Sequence, residues 1–93
     1  MNLIENKIII KNENFIKKIS KSEIKDGINC YENFFIYKKE DKYLAYDRIC
    51  DHNGGRLIYN YKKDTIKCPL HNWMFNYRTG FYSNVELKKK ELK

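Results

Sequence analysis

Apolar residues along the chain fall into short runs separated by polar stretches, and no run of about ten residues has a helical period. The runs are rich in Ile, Tyr and Phe, which favour β-structure over helix. Strands are predicted at residues 8–10, 15–19, 33–37, 43–47, 57–59, 65–67, 73–76 and 81–82. The pattern therefore predicts an all-β protein, a small antiparallel β-sandwich or barrel.

The polar stretches between these runs predict the connections. Residues 38–42 should close one hairpin and residues 60–64 a second, while residues 20–24 should form a 3₁₀ turn or a loop. Residues 26–27 carry a turn signal, and Gly80 should supply a left-handed residue at the end of a tight turn.

Two further loops differ in character from these connections. Residues 51–55 include the pair Gly54 and Gly55, and residues 68–71 include Pro69. Each loop follows a predicted strand, so both can emerge from the same end of the sandwich and face each other.

The length of the chain, 93 residues, predicts a single domain over residues 1–93. A domain of this size has a small core, so a bound metal is a plausible source of stability. No apolar run approaches the roughly 18 residues that a membrane helix needs, and no signal-peptide pattern begins the chain. We therefore expect a cytoplasmic protein that does not bind a membrane.

The formal net charge of +7 raises the question of nucleic-acid binding. The basic residues are mostly Lys interleaved with Asp and Glu, and Arg occurs only at positions 48, 56 and 78. Proteins that clamp phosphates usually rely on Arg and on one clustered face. We expect no nucleic-acid partner, and a Lys-rich surface that could steer docking to an acidic redox partner.

Candidate chemistry is concentrated in one pattern, Cys50-x-His52 followed by Cys68-x-x-His71. Both histidines of the chain and two of its three cysteines lie in it. Thiolate and imidazole are the ligands of iron–sulfur and zinc sites. An odd number of cysteines in a reducing compartment favours a metal over a disulfide.

Three interpretations of this pattern compete. The first, ordinary buried Cys and His residues, would suit a lone Cys or His but not two matched pairs flanked by Gly54, Gly55 and Pro69. A Cys₂His₂ zinc site, acting as a structural module, usually has two Cys on one arm and two His on the other. Here each arm mixes Cys with His, which suits a two-iron cluster in which each loop gives one thiolate to one iron and one imidazole to the other.

The segments Cys50-Asp-His-Asn-Gly-Gly-Arg-Leu57 and Cys68-Pro-Leu-His-Asn-Trp-Met-Phe-Asn-Tyr-Arg-Thr-Gly80 resemble the two ligand loops of Rieske [2Fe–2S] domains. The resemblance runs from about Ile16 to the C-terminus. The stretches Asp51-His-Asn-Gly-Gly55 and His71-Asn-Trp73 are similar to the Rieske domain of CMP-N-acetylneuraminate hydroxylase-like enzymes. In the second stretch, this chain has Asn72 where most relatives have glycine.

The resemblance implies a β-sandwich with both cluster loops at one end and one [2Fe–2S] cluster per chain. By position, Cys50 and Cys68 would hold the inner iron, and His52 and His71 the outer one. It also implies a low reduction potential. Respiratory Rieske proteins have disulfide cysteines at positions matching Gly55 and Leu70, and a hydroxyl donor at the position of Trp73.

One-electron transfer is the expected function, and its setting is open. The chain could be a ferredoxin-like carrier between a reductase and an oxygenase or hydroxylase, or the N-terminal electron-entry domain of a larger hydroxylase, lacking that parent's final strands. A Rieske oxygenase needs a separate iron held by two further His and a carboxylate. Since the cluster pattern uses both His, no catalytic site is expected in this chain alone.

The remaining candidates have structural interpretations. Cys30 should be a small buried hydrophobic residue. Trp73 and Phe75 could line the cluster, pack in the core, or do both. Arg78 should serve the surface or packing rather than catalysis.

Overall fold

The structure, a computed structural model, describes residues 2–4, 6–52, 54–70, 72–83 and 85–92. The strands in chain order are β1 (Asn2–Ile4), β2 (Lys7–Lys11), β3 (Ile16–Ser20), β4 (Gly27–Cys30), β5 (Phe34–Lys39), β6 (Lys42–Asp47), β7 (Ile58–Asn60), β8 (Thr65–Lys67), β9 (Met74–Asn76) and β10 (Phe81–Tyr82). A 3₁₀ turn, Lys21–Glu23, is the one helical element in the described residues. The prediction of an antiparallel all-β protein is confirmed.

The chain divides into two compact units, Met1–Asp47 with Glu91–Lys93, and Arg48–Lys90. The first unit holds two three-stranded sheets, in the orders β1-β2-β3 and β4-β5-β6. Every pairing within them is antiparallel. The core of this unit is aliphatic and aromatic; it contains Ile8, Ile10, Ile19, Ile24, Phe34, Ile36, Ala45 and Leu92.

The end of the chain returns to the first unit without forming a strand. The backbone N–H of Leu92 donates a hydrogen bond to the carbonyl of Ala45 in β6, at 2.7 Å. The Leu92 side chain is buried in the core described above. This hydrogen bond and the apolar contact help to hold the last described residues against the first unit.

The second unit contains one four-stranded sheet with the order β10-β9-β8-β7. Its strands are only two or three residues long, and antiparallel ladders join β7 to β8, β8 to β9 and β9 to β10. Leu57, Ile66 and Phe75 are buried in this unit. The two loops that carry the Cys and His pattern, at 48–57 and 68–73, belong to it.

Several predicted boundaries were wrong. The link 38–42 was expected to be a five-residue connection, but β5 and β6 continue to Lys39 and Lys42 and leave a two-residue turn. Glu40 adopts a positive φ of 55° in this turn, which a sequence without Gly or Asn did not signal. Strand β4 was missed because Gly-Ile-Asn-Cys lacks alternation, and its pairing with β5 forms it.

The prediction that Cys30 is buried is also wrong. Cys30 is the last residue of β4, which lies at an edge of its sheet, and its side chain is exposed. A side chain at the end of an edge strand has a neighbouring strand on one side only, so it is shielded from solvent less than a side chain in a central strand.

Among the described residues, no helix has the length and apolar character that crossing a lipid bilayer requires.

Candidate metal centre

The first loop holds a buried cysteine at its base and an exposed histidine near its tip. The N–H of Cys50 donates to the carbonyl of Gly55 at 2.7 Å, and the N–H of Gly54 donates to the carbonyl of Cys50 at 2.9 Å. Cys50 is 1% exposed, whereas His52 is exposed. The loop therefore separates its two candidate ligands by depth.

Gly54 makes this tight loop possible. Its φ is +74°, a region that side chains with a Cβ rarely adopt. A Cβ at Gly54 would meet no atom within 4 Å, so the backbone conformation and not crowding requires glycine there. Gly55 serves instead through its carbonyl, which accepts from Cys50.

Arg48 fixes the base of the same loop. Its Nε and Nη2 atoms donate to the carbonyl of Leu57 at 3.2 and 3.0 Å, and the N–H of Leu57 donates to the carbonyl of Arg48 at 2.9 Å. The isolated bridge between Ile49 and Arg56 adds a further pairing. Cys50 therefore follows a loop base whose two ends, at residues 48–49 and 56–57, are hydrogen-bonded to each other.

The second loop follows β8 and has a similar closure. Cys68 is 0% exposed, and its N–H donates to the carbonyl of Trp73 at 2.9 Å. Asn72 adopts a φ of 58°, and Asn is among the residues that tolerate this left-handed region. Asn therefore meets the same backbone demand that glycine would at this position. His71, the fourth predicted ligand, lies outside the described residues.

An aromatic contact joins the two loops. The His52 imidazole stacks on the Trp73 indole with ring centroids 4.2 Å apart and planes 5° apart. Trp73 also meets the Tyr82 ring edge-on at 5.4 Å. Phe75, which was predicted to pack or to line a cluster, is buried and contacts the Tyr82 ring at 5.4 Å.

A polar network that the sequence did not indicate lies behind the first loop. The Tyr82 hydroxyl donates to Asp51 Oδ2 at 2.6 Å and accepts from the Asp51 N–H at 3.1 Å. Lys89 Nζ donates to the carbonyl of Ile49 at 2.6 Å and to Asp51 Oδ2 at 3.2 Å. Burial, and then the hydrogen bond to Asp51, raise the pKa of the Tyr82 hydroxyl well above its usual value.

A second network explains Arg78 as a packing residue. Its Nη2 contacts Asp64 Oδ2 at 2.7 Å, and its guanidinium lies 4.5 Å from the centre of the Tyr77 ring. Asp64 Oδ1 also accepts from the hydroxyls of Tyr59 and Tyr77, at 2.8 and 2.7 Å. Hydrogen bonds from Arg78, then from Tyr77 and Tyr59, lower the pKa of Asp64 to about 2.

The donor chemistry of the described residues fits a cluster with two sulfur ligands inside and a nitrogen ligand outside. Two buried thiols lie at the bases of two loops, and an exposed imidazole of the first loop is held against the second. Within the described residues, which omit His71, no group of three or more Cys, His, Asp and Glu side chains converges on one point.

Comparison with known proteins identifies the class. The Rieske [2Fe-2S] domain family model matches residues 13–92, so the chain belongs to that family. The family binds a [2Fe–2S] cluster and functions in Rieske-type electron transfer, with redox partners or within larger hydroxylases.

One curated relative gives a more specific likeness. The chain is 32% identical over 56 residues to the cytidine monophosphate-N-acetylneuraminic acid hydroxylase of Xenopus laevis. The match covers 57% of this chain and 10% of that hydroxylase. No solved structure gives a significant match.

Proposed function

We propose that Cys50 and Cys68 bind the inner iron of the [2Fe–2S] cluster, and that His52 and His71 bind the outer iron. The observation that carries this assignment is the difference in depth, with both cysteines buried and His52 exposed. The thiolates would bind the iron on the buried side, away from water, and the imidazole would bind the iron on the side of the protein surface.

The surface position of His52 suits electron exchange with a partner. When bound, the cluster accepts and returns one electron. The exposed His52 ring, held by Trp73, supplies a short route between the cluster and the surface. Leu70, next to His71 in sequence, is 62% exposed and offers an apolar contact to a partner.

We infer a low reduction potential within the Rieske range, which spans roughly −150 to +300 mV. Gly55 and Leu70 cannot form the disulfide of respiratory Rieske proteins, and Trp73 carries no hydroxyl to donate to a cluster sulfur. Fewer hydrogen bonds to sulfur stabilise the reduced state less. A midpoint well above zero millivolts would contradict this inference.

The proposed role is that of a ferredoxin-like, cytoplasmic carrier that receives electrons from a reductase and passes them to an oxygenase or hydroxylase. The histidines of this chain are both assigned to the cluster, which leaves none for the separate catalytic iron of an oxygenase. The oxidation of a substrate would then occur on another polypeptide or another domain.

A second candidate role is the electron-entry domain of a larger hydroxylase. The match to one tenth of the Xenopus laevis hydroxylase supports it. An immunoblot of the native host distinguishes the two roles. A band at the size of the 93-residue chain supports the carrier, and a much larger band supports the domain.

Anaerobic reconstitution with iron and sulfide tests the proposal as a whole. We expect a red-brown protein with two irons and two sulfides per chain, and loss of both in the Cys68→Ser variant. The reduced protein should return its electron to an added oxidant in a single step. A colourless protein, or one that holds a single zinc ion, would contradict the proposal and support the structural module instead.

A further inference from the structure

Lys89 is a buried lysine in an otherwise exposed basic run. The neighbouring Lys88 and Lys90 are both exposed, whereas the Lys89 side chain is only 1% exposed. Removing an ammonium group from water is costly unless it finds charged or hydrogen-bonding partners. The burial of Lys89 therefore requires specific contacts.

The contacts of Lys89 are with the residues that precede and follow the proposed ligand Cys50 in sequence. Lys89 Nζ donates to the carbonyl of Ile49 at 2.6 Å and to Asp51 Oδ2 at 3.2 Å. These two residues flank Cys50. The backbone of Lys89 is itself anchored, since its N–H donates to the carbonyl of Gly80 at 2.7 Å.

The same contacts place a charge pair beside the cluster site. The carboxylate of Asp51, adjacent to Cys50, accepts hydrogen bonds from both Tyr82 and Lys89. Two ferric ions, two sulfides and two thiolates sum formally to zero, so reduction by one electron adds one negative charge. An uncompensated Asp51 carboxylate would oppose that charge, and the ammonium of Lys89 offsets it.

We propose that Lys89 is a positioning residue that holds the Cys50 loop and, by compensating Asp51, raises the reduction potential of the cluster. This inference rests on the ligand assignment proposed above. It extends that assignment to a residue about forty positions away in sequence, which acts through Asp51 and through the backbone beside Cys50.

Potentiometric titration of four reconstituted proteins tests the proposal. Lys89→Met should lower the midpoint potential relative to the native protein, because the Asp51 charge is then uncompensated. The control Lys90→Met removes the same charge from an exposed position, where water screens it. The shift of midpoint potential in Lys90→Met should be at most about half of that in Lys89→Met, since the effective dielectric is higher at the surface. The double variant Asp51→Asn/Lys89→Met should return close to the native potential.

A purely structural lysine would give a different result. Lys89→Met would then lose cluster stability without a shift of potential, or the double variant would not restore the potential. Either result, or equal shifts for Lys89→Met and Lys90→Met, would overturn the proposal.

A further variant covers the case in which Lys89→Met does not assemble a cluster. Asp51→Asn keeps the ammonium and removes the carboxylate, so its potential should rise above that of the native protein. An unchanged or lower potential would overturn the proposal. Failure of the native protein itself to assemble a cluster would instead contradict the proposed function, and the two failures are therefore distinguishable.

Discussion

The imidazole of His52 lies nearly parallel to the indole of Trp73, with ring centroids 4.2 Å apart. His52 is on the first loop, and Trp73 closes the second through its carbonyl, which accepts from Cys68. Through Trp73, the stack therefore links the exposed candidate ligand of the first loop, His52, to the buried candidate ligand of the second, Cys68. It also limits the rotation of the His52 ring at the surface.

Replacing Trp73 should weaken cluster retention. Trp73→Leu removes the aromatic face, and a stacked pair is worth about 1 kcal/mol, so we expect roughly fivefold weaker retention of the cluster. Trp73→Phe keeps a ring and should lose less. The measurement is the visible absorbance of the reconstituted protein during titration with an iron chelator. Equal losses in the two variants would show that the stack is unimportant.

The three cysteines should behave differently on substitution. Cys50→Ser and Cys68→Ser each remove a buried proposed ligand and should abolish the cluster. Cys30→Ser is the matched control, since Cys30 is exposed at the end of β4 and outside the proposed site. Iron and sulfide analysis checks this. Loss of the cluster in Cys30→Ser would assign that thiol a role that our account lacks.

Position 72 should tolerate glycine and reject a β-branched residue. The φ of 58° at Asn72 costs a β-branched residue about 1–2 kcal/mol, whereas glycine pays no such penalty. Asn72→Val should lower the free energy of unfolding by about that amount, and Asn72→Gly should leave it nearly unchanged. Urea denaturation of both variants measures the difference. Equal stability would show that the loop does not need the left-handed conformation.

Acid should remove a small stabilisation that depends on Asp64. The pKa of Asp64 is lowered to about 2 in the folded protein, below the ordinary value of about 3.9 expected on unfolding. The folded state therefore binds this proton less readily. The stabilisation is present above about pH 4 and disappears as the pH falls towards 2.

Because the Asp64 side chain is 42% exposed, we expect a contribution below about 1 kcal/mol. Thermal unfolding between pH 5 and pH 2 should show a weaker pH dependence in Asp64→Asn than in the native protein. Glu86→Gln, which removes the same charge from another exposed residue, is the control. If both variants follow the native profile, the hydrogen bonds to Asp64 do not stabilise the fold.

Much of the fold was predictable because the apolar runs are short and separated by clear turn signals. Strand β8 (Thr65–Lys67) and the left-handed Gly80 were predicted to the residue. A hydrophobic run indicates burial, and a glycine in a turn indicates a left-handed backbone. Both signals can be read from a few neighbouring residues without knowledge of tertiary contacts. The family was likewise predictable, because the Cys and His spacing with Pro69 and Trp73 is specific.

The errors share a physical cause, which is dependence on tertiary contacts. Strand β4 forms through its ladder with β5, and the exposure of Cys30 follows from its place at the sheet edge. Lys89 resembles its exposed neighbours in sequence, and its contacts with Asp51 and the Ile49 carbonyl, which lie far away along the chain, accompany its burial. No pattern within residues 88–90 carries that information.

The central claim is that two loops jointly hold a pair of irons through two thiolates and two imidazoles. An EPR spectrum of the dithionite-reduced, reconstituted protein tests it most directly, because imidazole and thiolate ligation of the two irons gives a lower average g value than four thiolates. We expect that lower average g in the native protein. A spectrum of the all-thiolate type, or no signal from a protein that contains no iron, would contradict the account.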